Sequence, residues 1–243
     1  MAPRGMARVA GAFYLATVVA GAFAEFSRDG LVASGNPAAT ARNILAAEQL
    51  YRWAFVADLV AGICYVVVTL LLYELLKPVN RAIALLAAFF SLIGIAVGAA
   101  SGVAQSANLI LLGNASYVGA FTPAQLQTLA YVSGKLHAES SLIALVFFGV
   151  YCALVGYLVV KSTFLPKVVG ILMEVAGACY LINSFAAFLA PPLANVLSPW
   201  IVLPSLIGEL TLTLWLLVAG VDVAKWQLRV ESGQWAEARG VVT

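Results

Sequence analysis

The feature that most constrains this chain is its division into long apolar runs, each near the length at which a helix crosses a bilayer. A helix covers roughly 30 Å of hydrocarbon with about 20 residues and satisfies its own backbone, which a lipid-exposed loop cannot do. Six runs meet that requirement: Val9 to Phe26, Trp53 to Leu76, Ala82 to Leu112, Leu136 to Val160, Leu165 to Leu189 and Trp200 to Val223. Of the 243 residues, 63% are hydrophobic and 10% are charged. A soluble domain carries about 25% charged residues and could not cover its surface with so few. The expected fold is all-α, a polytopic membrane bundle of six transmembrane helices in one domain over residues 1–225. Residues 226–243, with Arg229, Glu231, Glu237 and Arg239, read as a solvated cytoplasmic tail.

Connections follow from turn chemistry and charge. Asn36-Pro37 and Thr122-Pro123 are helix-start signals, because Pro at the first helical position lacks only an N–H that would be unpaired anyway. They predict two short surface helices on the outer side, Pro37 to Leu50 and Pro123 to Val132. The short link from Lys161 to Lys167 makes the fourth and fifth spans antiparallel neighbours. Nine of the 13 Lys and Arg fall on the side of the N-terminus and four on the other, which predicts both termini in the cytoplasm. The net charge of +2 is then an orientation device and calls for no nucleic-acid partner. Arg4 and Arg8 before an apolar run also resemble a signal peptide. The polar stripe on that segment favours its retention as a span.

The residues that carry chemistry are polar groups where lipid-facing side chains are expected. Glu25, Asp58, Glu74, Glu174 and Glu209 all fall within spans. A charged side chain at the bilayer centre costs at least ~2.5 kcal/mol, so such groups turn toward the bundle interior or water. Spacing of three or four residues places Tyr14, Thr17, Gly21 and Glu25 on one helix face, and Asp58, Gly62, Tyr65, Thr69 and Tyr73 on another. The third span carries Gly94, Gly98, Ser101, Gln105 and Asn108; the fourth His137 and Ser141; the fifth Tyr180, Asn183 and Ser184; the sixth Ser205, Glu209 and Thr213. Such stripes predict an internal polar site. Gly94, Gly98 and Gly102 read as helix packing, and Ser101, Ser141 and Thr213 as bonding their own backbone. Asp58 and Glu209 are each expected as a neutral acid or as a carboxylate paired with a cation or several donors, and the nearby outer-side candidate cations are Arg52 and His137.

Several chemistries are excluded. One histidine cannot build a three-histidine zinc site, and Cys64, Cys152 and Cys179 lack ligand spacing. No metal or cofactor is expected. Neither paired aspartates for magnesium diphosphate nor a phosphate-cradling glycine loop is present. What survives is proton chemistry by carboxyl groups in a low-dielectric site. Asp58 and Glu209 are the candidate catalytic acid–base pair. Glu25, Tyr65, Asn108, His137, Tyr180, Asn183 and Trp215 are candidate substrate-binding residues. They suit isomerisation or cyclisation of a small lipophilic, isoprenoid-like molecule. They suit a proton-linked permease or sensor equally, and a structural membrane subunit is the third reading.

The runs Phe55-Val-Ala-Asp58-Leu, Leu76-Lys-Pro-Val-Asn-Arg81, Tyr180-Leu-Ile-Asn-Ser-Phe185 and Leu206-Ile-Gly-Glu-Leu210 resemble the bacterial membrane family known as domain of unknown function 4386. That resemblance implies a fold and a multi-pass place in the bacterial inner membrane, but no activity. More loosely, the size and the placing of one acid on an early helix and another on a late one resemble the integral-membrane terpene cyclases. Those enzymes are drawn with seven spans against the six read here. That second resemblance implies Asp58 and Glu209 as the matching acids.

Overall fold

The computed structural model describes residues 2–113, 116–198 and 200–238. Among the described residues every regular element is a helix: α1 Pro3–Asp29, α2 Pro37–Ala46, α3 Glu48–Leu76, α4 Arg81–Leu112, a 3-10 turn Ser116–Ala120, α5 Pro123–Lys161, α6 Lys167–Leu189, α7 Pro191–Leu197, α8 Val202–Val218 and α9 Val223–Ala238. Five of them, α1, α3, α4, α5 and α6, are long and apolar enough to cross a membrane. The count becomes six if α7 and α8, bent by 56°, are one broken span. The chain is thus a multi-pass membrane-type helical protein with five to six candidate spans, and the expected sixth, Trp200 to Val223, falls on α8, Val202–Val218, which reaches spanning length only when joined to α7.

Both proline start signals work, with different outcomes. Asn36 caps α2 by accepting a hydrogen bond from the Ala39 backbone N–H at 3.0 Å. At Thr122 the cap is reciprocal: its hydroxyl accepts from Gln125 N–H at 3.3 Å while the Gln125 side chain accepts from Thr122 N–H at 2.8 Å. The helix that follows does not stop at Val132, so the second surface helix is corrected to the first turns of α5, 39 residues long. At 1.5 Å per residue it measures about 58 Å, well beyond the hydrocarbon. Gly134 stands at the expected junction but does not break the helix, and Ser133 beside it donates to the Ala104 carbonyl of α4 at 2.7 Å. The expected tail begins as α9, which is anchored: the Trp226 indole donates to the Leu75 carbonyl at 3.0 Å and Arg229 to the Val79 carbonyl at 3.3 Å.

The chain divides into two compact units. The first comprises Met1–Leu15, Cys64–Gly94 and Leu145–Thr243; the second comprises Ala16–Ile63 and Ile95–Ala144. In the first unit, glycines set the helix spacing. A Cβ added at Gly156 would lie 2.6 Å from the Gly170 carbonyl oxygen, and one at Gly177 2.5 Å from that of Gly149. Hence α5 and α6 meet backbone to backbone, as small residues permit in lipid. Gly208 places α8 against the Leu172 carbonyl of α6 at 2.5 Å, and Gly11 places α1 against the Leu217 backbone of α8 at 2.5 Å, by the same measure. The expected packing glycines behave otherwise. Gly94 receives the Phe148 ring and Gly102 the Phe55 ring, while nothing lies within 4 Å of a Cβ at Gly98.

Candidate functional site

The close approaches in the first unit determine what surrounds Glu209. Gly208 precedes it on α8, Tyr14 lies one turn beyond Gly11 on α1, Tyr180 one turn beyond Gly177 on α6, and Cys152 one turn beyond Gly149 on α5. Their polar ends converge. The Tyr14 hydroxyl donates to Glu209 Oε1 at 3.0 Å, the Tyr65 hydroxyl at 3.5 Å and the Cys152 thiol at 3.7 Å. Tyr180 donates to Oε2 at 2.9 Å. The Tyr14 and Tyr65 hydroxyls are 3.3 Å apart. Tyr65 is wedged edge-on against Tyr14, Phe148 and Tyr151, with centroids at 5.3, 5.1 and 5.9 Å, the arrangement aromatic quadrupoles favour.

Among the described residues no Lys, Arg or His is ion-paired with Glu209. The carboxyl group therefore has hydrogen bonds but no countercharge. Phenol groups both donate and accept. With a proton on Glu209, one tyrosine oxygen can accept it; without the proton, the hydroxyls turn to the carboxylate. The surroundings thus suit both protonation states. Nearby, Thr69, Leu76, Ala84, Tyr151 and Leu158 are among the residues lining a small cavity with room for about one water. Among the described residues, the buried Tyr151 hydroxyl has no partner in hydrogen-bonding geometry.

The second unit holds a carboxyl group of the opposite kind. Arg28, near the end of α1, forms an ion pair with Asp58 of α3 and another with Glu25 at 2.5 Å. The Arg28 side chain is 12% exposed and that of Asp58 32%. His137 donates from Nδ1 to the Ser101 carbonyl at 3.1 Å, which leaves Nε2 as an acceptor when the ring is neutral. It is near enough to act electrostatically on Asp58. In the same unit Asn108 donates to the Tyr51 hydroxyl at 2.7 Å, and that hydroxyl donates to the Gln105 main-chain carbonyl at 3.2 Å. Both polar atoms of the Gln105 side chain, and Asn108 Oδ1, are buried without partners. Each such orphan costs about 1–3 kcal/mol.

With both sites described, comparison with known proteins adds a lineage. The family model described as Domain of unknown function (DUF4386) matches residues 9–220. The chain belongs to this family. An uncharacterized protein of Archaeoglobus fulgidus is 27% identical to this DUF4386 member over 157 residues, covering 64% of this chain and 76% of its own length. No solved structure matches. The match concerns the first of the two resemblances and carries no activity.

Set against the sequence expectations, the DUF4386 chain brings Tyr65 and Tyr180 to Glu209 and adds Tyr14 and Cys152, which were not expected there. Asn183, one turn along α6 from Tyr180, is half-buried and not bonded to the acid; Trp215 is 39% exposed. Asp58, Glu25, His137 and Asn108 belong to the second unit. Of the two expected cations, Arg52 is corrected as a partner of Asp58, while His137 lies near it without an ion pair. Arg52 pairs with Glu48 at 2.7 Å, one turn away on its own helix, and Asp58 takes Arg28, 30 residues earlier. Nothing in local spacing signals a pair between helices. A tyrosine one turn from a glycine was the available clue to Tyr14. Outside both sites, Glu74 pairs with Lys77 at 2.7 Å and Asp222 with Lys225 at 3.3 Å.

Proposed function

We propose that the chain is a proton-handling membrane protein centred on Glu209, which exchanges a proton with a small lipophilic, isoprenoid-like molecule. The observation that carries this reading is a carboxyl group held by Tyr14 at 3.0 Å and Tyr180 at 2.9 Å with no cation paired to it among the described residues. As an acid, Glu209 gives its proton to an alkene, epoxide or carbonyl; the hydroxyl donors then stabilise the carboxylate that remains, as oxyanion-binding donors do. The same carboxylate takes a proton back from the cationic product, which closes an isomerisation or cyclisation without net loss. Tyr65 and Phe148 supply ring surfaces for the transient cation. Asp58, ion-paired with Arg28, is assigned to ionic anchoring of its own unit.

The second reading is a proton-linked permease or sensor of the inner membrane. What favours it is the cavity beside Tyr151, with room for about one water, which suits a proton better than a bulky hydrocarbon. Two measurements separate the readings. Infrared titration of the purified protein is expected to show the C=O stretch of a protonated carboxylic acid that disappears in Glu209→Gln; an identical spectrum in that variant overturns the proton role. Uptake into sealed vesicles that follows a pH gradient identifies a permease, whereas product formation in detergent, lost in Glu209→Gln, identifies an enzyme.

A further inference from the structure

The unmet polar atoms of the second unit define a separate problem. Gln105 is 1% exposed, Asn108 3% and Tyr51 4%, and the two amides lie one turn apart on α4. Tyr51 cannot serve them further: its oxygen accepts from Asn108 Nδ2 and its single proton goes to the Gln105 main chain. Exchanging oxygen and nitrogen in Gln105 leaves the same shortfall, and in Asn108 it would set oxygen against the Tyr51 oxygen, whose proton is already given to the Gln105 main chain. Two carbonyl oxygens, Gln105 Oε1 and Asn108 Oδ1, lack a donor, and the amino group of Gln105 lacks an acceptor.

The donor and acceptor inventory selects the occupant. A carboxylate brings no proton for the two oxygens, and an ammonium brings no acceptor for the amino group. A hydroxyl carries both on one atom: water, with two protons, serves both oxygens and the amino group, and an alcohol, with one, serves one oxygen and the amino group. We infer that Gln105 and Asn108 form a binding site for a neutral hydroxyl group, supplied either by internal water or by the alcohol end of a small molecule. The site uses different atoms from those around Glu209 and does not depend on the proton role of that residue. Its siting among fully buried side chains fits the rule that buried amides are bonded to protein or to ordered water.

The test uses the full chain in detergent with Gln105→Met, which conserves volume, and Asn108→Leu as a second variant. Hydroxyl-radical labelling by X-ray radiolysis is expected to oxidise Tyr51 in the wild type despite its burial, and several-fold less in Gln105→Met. The unfolding temperature is expected to fall in both variants. If n-hexanol raises the unfolding temperature of the wild type and leaves that of Gln105→Met unchanged, the occupant is the hydroxyl of a small molecule; labelling without a hexanol effect assigns it to water. A Tyr51 that resists labelling, together with a Gln105→Met that unfolds at a higher temperature than wild type, overturns the site. The amide would then be an unsatisfied group whose removal is a relief.

Discussion

Glu209 and Asp58 face the same problem, a carboxyl group on a transmembrane-type helix, and their units solve it differently. In the first unit the acid is surrounded by neutral donors: Tyr14, Tyr65, Tyr180 and Cys152. In the second, Arg28 supplies a full opposite charge. An ion pair fixes one protonation state, because losing the charge on either partner strands the other. A ring of hydroxyls fixes none, since each can donate or accept. The difference separates a carboxylate built for anchoring from an acid built for exchange.

The largest expected effect tests the anchoring side. Arg28→Ala leaves Asp58 without its cation and should lower the unfolding free energy by about 2–4 kcal/mol, somewhat below the full cost of breaking a buried pair. Chemical denaturation in detergent measures it, and the double variant Arg28→Met with Asp58→Leu should recover most of the loss. An Arg28→Ala protein as stable as wild type would erase the contrast.

Next comes the spacing that assembles the ring. A Cβ at Gly208 would sit 2.5 Å from the Leu172 carbonyl, so Gly208→Ala must push α8 from α6. A loss of about 1–3 kcal/mol is expected. The carboxyl band of Glu209 should shift with it, since Tyr180 rides on α6. An unshifted band would mean the ring does not depend on this contact.

A smaller effect isolates one donor. Tyr14→Phe removes a single hydroxyl and should cost about 0.5–1.5 kcal/mol, with an altered infrared band. Tyr51→Phe, in the second unit, should leave that band unchanged.

The smallest effect lies outside both sites. The N–H and ammonium of Lys225 hold the Asp222 carboxyl below its ordinary range. A depressed value means the stabilisation is complete above the unfolded carboxylate's pKa of about 4 and fades as pH falls through the folded value. Acidification into that range should therefore loosen the start of α9, read as a change in Trp226 fluorescence. The change should be absent in Asp222→Asn.

Much of the fold was legible because lipid leaves few options for a backbone. The apolar runs predicted α4 and α6 nearly to their ends and the C-terminal end of α3, while α1 and α3 begin six and five residues earlier than their runs, and Asn36-Pro37 predicted the start of α2. The errors lie where a local signal met a longer-range one. Thr122-Pro123 marks a true start, yet nothing between Val132 and Leu136 stops the helix, so α5 continues. Glycines spaced by four on α4 looked like a packing seam, whereas the backbone contacts fall at Gly149, Gly156, Gly170 and Gly177. Of the Glu209 site, the acid, Tyr65 and Tyr180 were readable as polar groups in apolar runs. Tyr14 stood on a polar stripe with Glu25, but it joins a different acid.

By itself the sequence determined that this chain must be helical and membrane-bound, and which side chains are too polar to face lipid. Which of those side chains meet was decided only in the folded molecule. Helix period assigns a residue to a face, but the partner on another helix depends on how closely two backbones approach. Here that distance is set by glycines such as Gly11, Gly177 and Gly208, each within a turn of a group that it brings to a partner far along the chain.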